Sequence, residues 1–127
     1  MSTRYTLGEL QLAIMRVLWS LDEASVSQVH QALPESRNRA LTTIATMLSK
    51  MEKKGVVSHR QEGRQFIYEA TISEDEVKRS MVSDLARRLF EGDFTALVTH
   101  LIDEREIDAE ELDLLKAKIA ERKEGNK

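Results

Sequence analysis

The period of the apolar pattern switches at Gly55, and this switch limits what the chain can fold into. Before it, Leu41, Ile44, Met47, Leu48 and Met51 recur at three- and four-residue steps. At about 100° per residue these positions share one stripe of a helix. After it, Val56–Glu62 and Gln65–Ala70 alternate, with Gly63-Arg64 between them. β-Branched and aromatic residues around a Gly-containing turn predict a hairpin of two strands. Gly55 itself suits the left-handed position that closes a helix.

Two shorter helices are expected upstream. Thr6-Leu-Gly-Glu9 reads as a capping box, with Thr6 as N-cap and Glu9 reaching back. The helix it opens runs to about Ser20, and its apolar positions include Leu7, Leu10, Ile14, Val17, Leu18 and Leu21. Trp19 fits a core anchor better than a binding residue. Asp22, Glu23 and Ala24 read as a short connection. Ser25-Val-Ser-Gln28 is a second capping box, opening a helix with Val26, Val29 and Leu33 inward; Pro34 ends it. Residues 34–40 read as a polar turn. Three helices followed by a two-stranded hairpin is the order of a winged helix-turn-helix.

Charge singles out the same region. The 127 residues carry a net charge of −3, yet residues 36–64 hold seven Lys/Arg against two Asp/Glu, a local +5. Residues 1–72 come to +2 and residues 73–127 to −5. A basic patch on an acidic chain is the footprint of a site for a polyanion. On the central helix, the face opposite the apolar stripe carries Thr42, Thr46, Ser49, Lys50 and Lys53, with Thr43 at its border. It has no carboxylate and nothing bulky. Hydroxyls and ammoniums donate to phosphate oxygens and base edges. Arg37 and Arg39, just ahead of this helix, lie where backbone phosphates pass in a helix-turn-helix, and Arg64 marks the hairpin tip. Each of these residues also suits an ordinary solvated surface.

The second half is predicted to be helical. Ser73-Glu-Asp-Glu76 is a third capping box; its helix runs to about Phe90, with Val77, Met81, Leu85 and Leu89 at four-residue steps, and stops at Gly92. A short helix restarts at Asp93 and carries Leu97, Val98, Leu101 and Ile102. Asp108-Ala-Glu-Glu111 caps a last helix, with Leu112, Leu115 and Ile119 inward and a polar tail from about Arg122. A lone core of about 50 residues gives little stability. These stripes need a partner, either the first domain or a second copy of themselves. The second copy is preferred, because a two-fold dimer supplies two recognition helices. The expected domains are therefore 1–72, a winged helix binding DNA, and 73–127, a helical dimerisation domain.

With these residues in view, the chain resembles the penicillinase-repressor family of bacterial transcription factors, the BlaI/MecI type. The resemblance is carried by LGELQLAIMRVLW at 7–19, VSQVHQAL at 26–33, LTTIATMLSKMEKKG at 41–55, VVSHRQEGRQFIYEA at 56–70 and RRLFEGDFTALV at 87–98. It implies a repressor that binds a double-stranded, inverted-repeat operator of TACA type as a homodimer; the absence of cysteine and of an apolar N-terminal segment makes the cytoplasm the expected compartment. By motif match it places Thr43 and Thr46 near the bases. Thr42 stands where lysine is frequent in the family, which implies fewer phosphate contacts there or another preferred operator. The assigned base readers are Thr43, Thr46 and Thr42; the backbone set is Arg37, Arg39, Ser49, Lys50, Lys53 and Arg64. The dimer interface is assigned to Leu85, Leu89, Leu97, Val98, Leu101, Ile102, Leu112 and Leu115. The family's regulatory protease cuts an Asn-Phe bond in the short helix after the glycine. The aligned pair here is His100-Leu101. Copper-responsive relatives end in a cysteine-rich motif, and with no cysteine this chain lacks that route to copper sensing.

Other function classes fare worse. A winged helix can serve as a protein–protein adaptor without specific DNA binding, but an adaptor has no need of the +5 stretch. There is no Gly-rich phosphate loop and no Cys nucleophile, and the acidic pairs sit in capping boxes or on polar faces. His30, His59 and His100 fall on three different elements, without the spacing of a helical metal site. Neither an enzyme nor a cofactor nor a metal is expected, and no apolar run is long enough to span a bilayer.

Overall fold

The computed structural model describes residues 7–34 and 39–125. Their elements are α1 (Glu9–Leu21), β1 (Glu23–Ser25), α2 (Val26–Ala32), α3 (Leu41–Lys54), β2 (Val57–Glu62), β3 (Gln65–Ala70), α4 (Glu74–Phe90), α5 (Phe94–Asp103) and α6 (Ala109–Gly125). Two compact units result, Met1–Asp84 and Leu85–Lys127, and the division falls inside α4. The compact division lies twelve residues beyond the 72/73 boundary expected from the sequence.

The first unit closes around the inner stripes of its helices. Ile14, Met15 and Leu18 of α1, Val29 of α2, and Ile44, Leu48 and Met51 of α3 are all buried in one cluster. Each such side chain contributes about 1.5–3 kcal/mol by leaving water. Ile72 and Val77 join the cluster, so the first turn of α4 belongs to this core. Gln11 ties α1 to α3: its Oε1 accepts from Lys54 Nζ at 3.1 Å, and its Nε2 lies 3.4 Å from Met47 Sδ. Trp19 is half-buried against the core, and its Nε1 donates to the Ile72 carbonyl at 2.9 Å.

Local signals set most element ends. Ser25 Oγ accepts from Gln28 N while Gln28 Oε1 accepts from Ser25 N. The same reciprocal pair forms at Ser73 and Glu76, and at Asp108 and Glu111. Asp93 Oδ1 caps α5 through Ala96 N. Gly55 takes φ 85°, its N–H donates to the Glu52 carbonyl, and Val56 N donates to the Met51 carbonyl. This is a Schellman closure, and the buried Met51 and Val56 side chains accompany it.

Three local expectations are corrected. Gly8, not Thr6, precedes α1, and Gln11 rather than Glu9 reaches back to it, at 3.3 Å; Thr6 lies outside the described residues. Glu23–Ser25 is a strand rather than a mere connection. Asp22, at φ 71° and ψ −47°, reverses the chain out of α1 into β1, which pairs with β3. The sheet therefore has three antiparallel strands in the order β1-β3-β2. Leu41, placed by its spacing on the inner stripe, is 48% exposed.

The second unit is built differently. Among its described residues only Ala86 is a buried hydrophobic residue. No residue of α5 or α6 is buried. Leu89 and Leu114 are each 67% exposed, and Leu85, Phe94, Val98, Ile102, Leu115 and Ile119 are exposed as well. Leu97, Leu101 and Leu112 are half-buried.

Candidate nucleic-acid interface

α3 turns Ile44, Leu48 and Met51 into the core, which obliges the opposite side to face solvent. Thr42, Thr43, Thr46, Ser49, Lys50 and Lys53 are all exposed there. The fold thus brings the predicted hydroxyl-and-lysine face together on one helix. Thr43 N donates to the Ala40 carbonyl at 3.0 Å, leaving the threonine side chain at the first turn open. Arg39 is exposed one residue ahead of the N-cap Ala40, and His30 Nε2 donates to its carbonyl at 2.9 Å. Arg37 lies outside the described residues.

The hairpin β2–β3 stands beside this helix. Its turn is Gly63-Arg64, with Gly63 at φ 63°, so Arg64 sits exposed at the tip. Arg64, Phe66, Leu41, Val26 and Ser27 line a common cavity of about 370 Å³ where the wing meets the starts of α2 and α3. The exposure of Leu41 is explained by this cleft. A helix face and a basic wing tip flanking a cleft can straddle a phosphodiester backbone.

Sequence reasoning missed how the wing is held. In the β2–β3 register, His59 lies opposite Tyr68 and Arg60 opposite Ile67, so the two residues point to opposite faces. On one face, His59 Nδ1 meets Glu52 Oε1 of α3 at 2.6 Å. The His59 ring also lies 4.4 Å from Phe66 and 5.3 Å from Tyr68, centroid to centroid. On the other face, Arg60 spans β3 to reach Glu23 of β1 with two bonds, of 2.7 and 2.9 Å, and also binds Glu62 at 2.7 Å. Hydrogen bonding to Arg60 holds the Glu23 carboxyl below its ordinary range. The same carboxylates push the Arg60 guanidinium further up. Burial raises the Tyr68 phenol, with the charge of Glu52 adding to it. Two basic residues of the wing therefore differ in role: Arg60 is committed to carboxylates, whereas Arg64 projects from the tip. No single-sequence pattern links Glu23 to Arg60, because the pairing depends on β1.

His100 and Leu101 lie within α5, His100 exposed and Leu101 half-buried, with the His100 ring 5.8 Å from Phe90. Among the described residues no group of three His, Asp or Glu could hold a metal, and no helix is long and apolar enough to cross a membrane.

The fold and this surface define a winged-helix DNA-binding protein. Residues 7–121 match the model of the penicillinase repressor family. The BlaI transcriptional regulator of Mycobacterium tuberculosis H37Rv is 35% identical over 122 residues, covering 94% of this chain and 87% of that one. The penicillinase repressor of Bacillus licheniformis is 26% identical over 121 residues, covering 95% and 94%. The solution structure of the DNA-binding domain of the repressor BlaI superimposes with a TM-score of 0.51 at 30% identity, over 60% of this chain and 93% of that domain. The chain belongs to the penicillinase repressor family and is a DNA-binding transcriptional repressor. That family consists of repressors, which are not enzymes.

Proposed function

We propose that this repressor acts in the cytoplasm, without catalytic activity, by holding an inverted-repeat operator as a homodimer. Residues 1–72 read DNA and residues 73–127 join the two copies. Thr43, Thr46 and Thr42 meet base edges. Arg37, Arg39, Ser49, Lys50, Lys53 and Arg64 meet the backbone. One observation carries this reading: opposite its buried stripe, α3 exposes Thr42, Thr43, Thr46, Ser49, Lys50 and Lys53 together, beside a basic wing tip. The exposed apolar residues of the second unit support the dimer, because Leu85, Leu89, Val98, Ile102 and Leu115 have nothing to cover them within one chain. Leu97, Leu101 and Leu112 extend the same interface. An adaptor would leave the +5 region without purpose.

Release follows from the same arrangement. Two weak half-site contacts become tight only while linked, so opening the α5–α6 interface induces the regulated gene. A regulatory protease would act at His100-Leu101 only after α5 opens, because a helix must unfold locally to enter a protease cleft.

Selection from a random duplex library, followed by sedimentation of the complex, tests this. The expected result is a two-fold symmetric site bound by two chains. Enrichment of an asymmetric site, or of none, would reject it.

A further inference from the structure

We propose that Glu52 and His59 are positioning residues for DNA binding: together they fix the wing to the recognition helix and so set where Arg64 meets the backbone. This rests on the reading of Arg64 as a phosphate contact. Glu52 leaves α3 at the edge of its DNA-facing surface, one turn before the Schellman closure at Gly55. His59 lies on β2, seven residues after Glu52, so a single carboxylate–imidazole bond of 2.6 Å bridges the bend between helix and wing.

The chemistry of the bond makes it a durable brace. An ionised carboxylate only accepts, so Nδ1 of His59 carries the proton and donates. Nδ1 carries it both in that neutral tautomer and in the imidazolium, so the bond survives either state. Phe66 and Tyr68 flank the ring and restrict its rotation. Arg60, the next residue, anchors the opposite face of the hairpin to Glu23 on β1. The wing is thereby gripped from both faces at the middle of its strands, with its tip four residues beyond Arg60. Glu52 is the carboxylate of α3, and its engagement with His59 keeps that charge turned to the wing rather than presented beside Ser49 and Lys53.

The test is a double-mutant cycle on the full-length protein, read by fluorescence anisotropy on a short mixed-sequence duplex over a salt series. Such DNA suffices because phosphate contacts do not depend on sequence. Arg64→Ala should weaken binding about threefold to tenfold and lower the log–log salt slope by about one unit. In the H59F background, which keeps a ring against Phe66 and Tyr68 but removes the donor, R64A should cost almost nothing further. Glu52→Ala should abolish the cost of R64A in the same way, and it guards against misfolding of H59F. His59→Asn, which restores a donor near Nδ1, should restore the cost.

If R64A costs the same factor in all backgrounds, the brace does not position the tip and the inference falls alone. If R64A costs nothing even in the otherwise unaltered protein, the wing does not touch phosphate, and both that reading and the inference fall.

Discussion

The two compact units solve the same problem in opposite ways. Residues 1–84 bury the inner stripes of three helices and a sheet against one another, so that Ile14, Met15, Ile44, Leu48 and Met51 have no contact with water. Residues 85–127 have helices of similar length with nothing buried in α5 or α6. The first unit is complete within one chain. The second is amphipathic without being closed, and it needs another surface to become a core. A regulator built this way can keep its DNA-reading surface intact while its assembly state changes.

The contrast is most sharply broken at α5. Val98 and Ile102 lie one turn apart and are both exposed. Replacing both with Asp should leave the fold of one chain intact and abolish the dimer, since each carboxylate buried unpaired costs about 3–5 kcal/mol. Sedimentation should show a monomer; a persisting dimer would put the interface elsewhere. A core change in the first unit should do the reverse. Ile44→Ala should lower stability by about 2–5 kcal/mol while the second unit still self-associates, as urea melts and sedimentation on the same sample would show.

Smaller effects divide the α3 face itself. Thr46→Ala or Thr43→Ala should change preference between operators by about 1–3 kcal/mol per lost base contact. Equal loss on selected and random duplexes would remove them from base reading. Lys53→Ala should weaken every duplex alike and reduce the salt slope by about one unit. The smallest effect concerns Glu23. Its carboxyl is held low by Arg60, so the pair stabilises the fold above the unfolded carboxylate value of about 4. That contribution is lost as pH falls through the depressed folded value. Glu23→Gln should therefore flatten the acid limb of the stability profile slightly, because the pair is solvent-exposed and screened. Urea melts from neutral to acidic pH would show this, and an unchanged limb would mean that the pair adds no stability.

What could be read from the sequence follows the range of the interactions. The capping boxes at Ser25, Ser73 and Asp108 formed as expected because each closes within three residues. The hairpin and the stripe of α3 were legible because their periods are local. β1 was not: three residues show no period, and only pairing with β3, more than 40 positions later, makes them a strand. Leu41 was placed inward by its spacing, yet at the first turn it lines the open cleft between the wing and the starts of α2 and α3. α6 continues to Gly125, so the polar tail expected from about Arg122 begins within the helix. In the candidate interface, the threonines and lysines could be found by periodicity, and their exposure is now plain. The Glu52–His59 brace could not, since its partners lie on either side of a turn whose geometry no pattern encodes.

Trp19 gives the molecule a reporter of its own. It is the sole tryptophan of the chain, and its indole donates to the Ile72 carbonyl at the exit from the sheet. Intrinsic fluorescence is therefore a label-free signal from the first unit, with the chromophore pinned where β3 hands over to α4. Far-ultraviolet dichroism, by contrast, sums over every helix. Recorded together on one melting sample, the two signals should separate if α5 and α6 lose structure first, with ellipticity falling while the indole spectrum holds. Coincident curves would mean that both units melt as one cooperative body.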